Sequence, residues 1–227
     1  MKENCMKINL IIPAKGTSQR IKNKNLCTIN GKSLVRLACE KALKCSTIDE
    51  VYLDTESDEI TATVSDLEKN GLKIIKRPKE LANNDIGANE MMVYGLHSVS
   101  DCDILLQTFS TSPLITSETI DYCIEKFLSV NEKYDSFFTV VPVQEYFWNE
   151  EKAINFNPDK VPNSFELEKM YMETHGLYGI KTSSLLTKQT RIGYNPLKIE
   201  IPKIESFDVN VIEDLDIVER LMSNVSK

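Results

Sequence analysis

Through about residue 135 the chain alternates short β-branched runs with stretches of helical apolar spacing, which limits it to few folds. Ile8–Pro13 reads as a buried first strand, closed by a Pro and a Gly-containing loop. Ser33 to Leu43 sets Leu34, Val35, Leu37, Ala38, Ala42 and Leu43 at helical spacing, with Ser33 as N-cap. Glu50–Leu53 is a second strand. A helix starts at Ser57 and runs to about Asn70, where Asn70-Gly71 stops it. Leu72–Ile75 is a third strand, Asn89–His97 a helix and Asp103–Gln107 an apolar central strand. Ser117 caps a helix to about Val130, with Glu118 in its first turn. Ser136–Val141, Leu177–Ile180 and Lys198–Ile201 read as strands, and Val211–Met222 as a closing amphipathic helix. The expected fold is α/β, a mostly parallel sheet with helices on both faces. Ligands in such sheets bind beyond the carboxyl ends of the strands, so the loops after Pro13, Leu53 and Gln107 should line one crevice. The 227 residues suit a single domain, 1–227, with an irregular arm around 142–170 that holds Pro158, Pro162 and the lone Trp148.

Charge is unevenly spread. The whole chain carries a net charge of -7, which argues against nucleic acid as a partner. Yet Asn4 to Cys39 holds seven cations (Lys7, Lys15, Arg20, Lys22, Lys24, Lys32 and Arg36) and no Asp or Glu. A local positive field on an acidic protein points to a small polyanionic ligand met near the N-terminus. The six cysteines (Cys5, Cys27, Cys39, Cys45, Cys102 and Cys123) form no C-x-x-C and do not cluster with His97 or His175. Zinc is therefore not expected, and the thiols read as buried or idle in a reduced compartment. No apolar stretch approaches the ~20 residues of a membrane span, and no secretory segment is seen; a cytoplasmic protein is expected.

The first loop carries the chemistry. Ala14-Lys15-Gly16-Thr17-Ser18-Gln19-Arg20-Ile21-Lys22-Asn23-Lys24-Asn25 follows a strand. Gly16 lets the backbone turn and approach a ligand. Successive amides there can form an anion nest, to which Lys15, Arg20 and Lys24 add phosphate donors. The loop is neither a P-loop nor a dinucleotide fingerprint. No Ser-His-Asp or Cys-His arrangement is evident, so a covalent nucleophile is not favoured.

The run I-I-P-A-K-G-T-S-Q-R-I-K-N-K-N-L resembles the P-A-R-G-x-S-K-x-x-P-x-K-N-L signature of the sialic-acid (acylneuraminate) cytidylyltransferase family. Further segments agree in order: Asp54-Thr55-Glu56; Arg77-Pro78-Lys79-Glu80-Leu81-Ala82 with Asp85; Leu106-Gln107 with Thr111-Ser112-Pro113-Leu114; and Phe207-Asp208-Val209-Asn210 with Glu213-Asp214-Leu215. The likeness spans about residues 8 to 219. It implies a Rossmann-like nucleotidyltransferase domain that moves CMP from CTP onto an acidic, sialic-acid-like sugar and releases pyrophosphate. It further implies Mg²⁺ as cofactor, held by Asp208 and Asn210, and a homodimer built through the 142–170 arm.

The resemblance also distributes roles. Lys24 and Arg20 face the triphosphate beside Ala14, Lys15 and Gly16. Asn25 bonds the nucleotide, Arg77 lies near it, and Gly87 and Asn89 read the cytosine edge. Gln107 and His175 contact the acceptor. A pair between Arg77 and Glu80 is the plain structural alternative for that arginine. The plain structural alternative for His175 is a half-buried position at a strand entry. The chain departs from the pattern at Lys15 (Arg in the family), Gln19 (Lys), Lys22 (Pro), Ile115 (Arg) and Asn210 (Asp). The last exchange leaves a carbonyl oxygen, which balances less of a cation's charge. Two alternatives stay open: another acidic acceptor, such as a 3-deoxy-octulosonic acid or a phosphonate, or a nucleotide-binding homologue of weak activity.

Overall fold

The computed structural model describes residues 6–83 and 85–225, so Cys5 lies outside the described residues. The elements in chain order begin with β1 (Ile8–Pro13), the two-residue strands β2 (Thr28–Ile29) and β3 (Lys32–Ser33), and helix α1 (Leu34–Ala42). They continue with β4 (Glu50–Thr55), α2 (Asp58–Val64), β5 (Leu72–Lys76), α3 (Ala88–Ser98), β6 (Ile104–Gln107) and α4 (Ser117–Leu128). The chain closes with β7 (Ser136–Val143), β8 (Met170–Lys181), α5 (Thr182–Lys188), β9 (Pro196–Glu200) and α6 (Ile212–Val225).

Seven strands form one sheet in the order β5-β4-β1-β6-β8-β7-β9. β5, β4, β1 and β6 run parallel, β8 is antiparallel to both neighbours, and β9 is parallel to β7. The expected mostly parallel α/β sheet is therefore present, with one reversed strand. β1 lies inside it, between β4 and β6, which explains a continuous apolar run in place of alternation: both faces of the strand are covered. Leu10 and Ile12 pack with Val35 and Cys39 of α1 and with Ile120 and Phe127 of α4. Ile11, on the opposite face, packs with Met92 of α3 and Leu185 of α5.

Local details differ from the sequence reading for identifiable reasons. Ser33 and Ser57 cap α1 and α2 as expected, through bonds from the Arg36 and Ile60 amides. Thr116, not Ser117, caps α4; the two residues are adjacent and both carry a capping hydroxyl. The helix after Ser57 tightens to a 3-10 coil from Ser65 to Asn70. The chain turns sharply between β2 and β3 at Asn30 and Gly31, whose φ values are 50° and 78°. β8 is much longer than Leu177–Ile180. Its first four residues, Met170–Glu173, are exposed and pair only with β7, so they carry no core pattern to read. Between β7 and β8 the arm holds only two short 3-10 turns and a bridge from Trp148 to Ala153. The described cysteines are free, and burial pushes the Cys39, Cys45 and Cys123 thiols up to about 12, in keeping with idle thiols.

Gly179 shows how tightly the reversed strand is seated. A Cβ there would lie 2.1 Å from Cε1 of Phe137 and 2.7 Å from Cδ2 of Leu106, both fully buried. Overpacking of this kind costs about 1–3 kcal/mol. A chain of this size loses roughly 2–4 °C per kcal/mol. Gly179→Ala is expected to lower the midpoint of a thermal melt followed by circular dichroism by about 2–12 °C, and an unchanged midpoint would contradict this packing.

Candidate functional site

The carboxyl ends of the parallel strands open into a cleft of about 300 Å³. Its walls come from the first loop (Lys15, Thr17, Ser18, Gln19, Arg20, Lys24, Asn25), the end of β5 (Arg77), the start of α3 (Gly87, Ala88, Met91), and the end of β6 with its loop (Gln107, Phe109, Ser110, Thr111). Two of the three loops expected there line it. The third, after β4, backs the wall. The strand runs on to Thr55, and Asp54, Thr55 and Glu56 support residues that do face the cleft.

Asp54 is the hub of that support. Its carboxylate accepts from Nε of Arg77 at 3.0 Å and from Nη2 at 2.8 Å, and its carbonyl accepts from Nη2 at 2.8 Å. The same carbonyl accepts the Ala14 amide at 2.9 Å. Both side chains are buried, at 0% and 3% exposed. Burial pushes the Asp54 carboxyl up, while Arg77 pulls it down. The expected alternative partner of Arg77, Glu80, is replaced by Asp54, and Arg77 still reaches the cleft.

Gly16 packs closely against the start of α2. A Cβ there would sit 3.0 Å from Cβ of Ser57, and the Gly16 amide donates to Oε1 of Glu56 at 2.7 Å. Ala14 is buried. The cationic side chains, not these two backbone positions, present the loop to the cleft. Lys24 donates to the Val209 carbonyl at 3.1 Å. Burial lowers its pKa, Asp208 raises it, and Arg20 and Lys15 lower it again.

Asn25 spans two walls. Its Nδ2 donates to the Lys15 carbonyl at 2.7 Å, and its Oδ1 accepts from the Ser110 hydroxyl. In this arrangement its amide is used on the protein. Gly87 and Ala88 line the cleft, whereas the Asn89 Oδ1 accepts the Arg191 amide at 3.0 Å. Gln107 is 0% exposed, lines the cleft, and has no hydrogen-bond partner at either amide atom among the described residues. An unmet buried polar atom costs about 1–3 kcal/mol, so this amide is a group open to a partner from the cleft.

Asp208 and Asn210 sit beside the cleft, behind Lys24 and Thr111. The Val209 amide donates to the Thr111 carbonyl at 2.8 Å, which ties this segment to the β6 loop. Packing of Val209 with Ile21, Ile29, Leu34 and Val218 holds it there. Oδ2 of Asp208 meets Nδ1 of His175 at 3.3 Å and accepts from Nδ2 of Asn210 at 2.7 Å; Oδ1 is buried and unpartnered. Burial raises the Asp208 pKa, but the neighbouring His175, Thr111 and Asn210 together outweigh it and hold the carboxyl below its ordinary value. His175 thus faces Asp208 and the edge of Phe109, with ring centroids 5.9 Å apart. Among the described residues no group of three or more His, Cys, Asp or Glu side chains is gathered to hold a metal. Sequence reading gave no role to Phe109, Thr111, Tyr178 or Arg191, which belong to no quoted motif apart from Thr111.

Removing the Asp54 carboxylate would leave Arg77 buried and unpaired. Asp54→Ala is expected to lose about 3–5 kcal/mol of stability in urea unfolding, because breaking a buried pair strands the remaining charge. A loss below about 1 kcal/mol would show that the pair is not the support described.

The family model for "Cytidylyltransferase" matches residues 9–224. A 3-deoxy-manno-octulosonate cytidylyltransferase of Thermodesulfovibrio yellowstonii is 25% identical, over 95% of this chain and 98% of its own. A pseudaminic acid cytidylyltransferase of Campylobacter jejuni is 25% identical, over 95% and 96%. Among solved structures, a CMP:2-keto-3-deoxy-manno-octonic acid synthetase complexed with CTP superposes with a TM-score of 0.72 at 18% identity, covering 96% of this chain and 99% of that one.

Proposed function

Since the chain belongs to the cytidylyltransferase family, we propose that it transfers CMP from CTP to an acidic, sialic-acid-like nonulosonic sugar and releases pyrophosphate. The observation that carries this reading is the cleft itself. Lys15, Arg20, Lys24 and Arg77 face one space at the carboxyl ends of parallel strands, beside an unpartnered Gln107. Four cations suit a triphosphate. A buried amide with both ends unmet suits a hydroxyl-rich acceptor. The relative that acts on 3-deoxy-manno-octulosonate supports a second reading, an eight-carbon acidic acceptor in the same cleft.

The reaction is in-line. The acceptor hydroxyl oxygen bonds to the α-phosphorus and gives up its proton to solvent, the bond from that phosphorus to the bridging oxygen breaks, and pyrophosphate leaves with the electron pair. Lys15, Arg20 and Lys24 hold the outer phosphates and stabilise the charge that develops on the leaving group. Arg77, locked by Asp54, needs no reorganisation to add its charge. Gln107 orients the acceptor, so that catalysis rests on positioning. The buried, unpartnered Oδ1 of Asp208 fits a hard cation, and Mg²⁺ would be held there together with the amide oxygen of Asn210. When bound, the ion supplies charge neutralisation at the α-phosphate.

A homodimer is part of the same proposal. The arm and the exposed start of β8 present Trp148, Ile154, Val161, Phe165, Tyr171 and Met172 to solvent, an apolar surface that a second copy would cover. A cytoplasmic setting is consistent with the free thiols. No described helix is long and apolar enough to cross a membrane.

Pyrophosphate release from CTP, assayed with sialic, pseudaminic and 3-deoxy-octulosonic acids, is expected with at least one of them. No release with any would overturn the transferase reading. Thermal shift with the four nucleotides is expected to be largest for CTP, because only a ligand of the folded state raises its midpoint. A larger shift with ATP would sink the cytidine assignment. Asp208→Ala is expected to abolish transfer while metal-free CTP binding survives, and Asn210→Asp to tighten Mg²⁺ in calorimetry. Full activity of Asp208→Ala would place the cation elsewhere.

A further inference from the structure

The cationic loop accounts for the triphosphate, but one guanidinium beside the cleft has no part in it. Arg191 follows α5, outside every motif that the sequence offered. Its guanidinium carbon lies 3.9 Å from the centroid of the Tyr178 ring and 5.9 Å from that of Phe109. Nη2 donates to Oε1 of Glu173 at 3.1 Å, and the backbone amide donates to Oδ1 of Asn89 at 3.0 Å. Asn89 is in the first turn of α3, whose Gly87, Ala88 and Met91 border the cleft. Tyr178 stands directly opposite Gln107 in the β6–β8 ladder, so both side chains share one face of the sheet. Phe109, edge-on to Tyr178 with centroids 6.3 Å apart, lines the cleft with Gln107.

We infer that Arg191 is a specificity-determining residue that reads the carboxylate of the acceptor. The inference rests on the transferase reading above. An acidic acceptor needs a charged donor at the acceptor end of the cleft, and a planar guanidinium suits a carboxylate better than a lysine does. Arg191 is stacked, paired and pinned through its backbone, so little freedom is lost when it binds. Glu173 does not use it up. That carboxylate is 40% exposed and already accepts the Tyr178 hydroxyl at 2.6 Å. The guanidinium has five donors, of which Glu173 takes one. Asn89, expected to read the base, is in this arrangement the anchor that sets the Arg191 backbone beside the site.

A cycle between protein and substrate tests this. Wild type and Arg191→Gln are assayed with CTP and with sialic, pseudaminic and 3-deoxy-octulosonic acids, each as free acid and as methyl ester. Arg191→Gln is expected to lower kcat/KM on the free acid by about tenfold or more, mainly through the acceptor KM. On the ester it should change kcat/KM by no more than about twofold, because the partner charge is gone. The KM for CTP should stay at the wild-type value, which serves as the control for folding. Arg191→Lys, which keeps charge and loses the fork, should fall between the two. Equal losses on acid and ester, for either variant, would overturn the inference and leave Arg191 as a strut for Glu173 and Tyr178. A wild type that turns over none of the free acids would overturn the transferase reading itself, and this inference with it.

Discussion

The site depends on the buried pair of Asp54 and Arg77. One aspartate at the end of β4 gathers the end of β1 through the Ala14 amide and the end of β5 through Arg77, whose amide also donates to the Thr55 carbonyl at 3.0 Å. Burying two charges costs several kcal/mol per ion, and such a pair is weak evidence for stability. Its value here is positional. It fixes a cation at the cleft wall before any ligand arrives and sets the starting point of the first loop. Glu56 extends the same logic by taking the Gly16 amide, so a carboxylate braces the root of a loop whose side chains are cationic.

The opposite wall is organised around Asp208. A segment from near the chain's end is brought to the first loop because Val209 packs among Ile21, Ile29 and Leu34, while α6 contributes Val218. Asp208 then meets His175 of β8 and Asn210 of its own segment, with Thr111 after β6 close by. Asn210 contributes to this wall in a way that an aspartate could not. Its Nδ2 donates to Asp208, where a second carboxylate would repel it without an intervening cation. Lys24, between this wall and the cleft, feels both sets of charges. The two walls are thus joined through Lys24, which bonds the Val209 carbonyl and lines the cleft.

Much of this was legible in the sequence because the signals were local. β1, α1, β4, β5, α3 and β6 follow from apolar periodicity and from Ser33 and Ser57 as caps. The cationic loop follows from seven cations in a stretch without acids. Partners distant in the chain were not legible. Asn25 bonds Ser110, Asn89 bonds Arg191, and Arg77 bonds Asp54; each pairing is a product of topology, and no spacing rule reveals it. Gly16 carried a signal for close approach, and within the fold Ser57 approaches it. The exposed start of β8 lacked a buried face and so lacked a pattern.

The central claim is that this cleft holds CTP, with its phosphates against the first loop and its base against the start of α3. A crystal structure of the CTP complex tests it most directly. The account predicts phosphate oxygens within hydrogen-bond distance of Lys15, Arg20 or Lys24, and the cytosine edge at Gly87 and Ala88. Nucleotide bound instead in the second cavity, between α1 and α4 around Lys41 and Glu205, would contradict it.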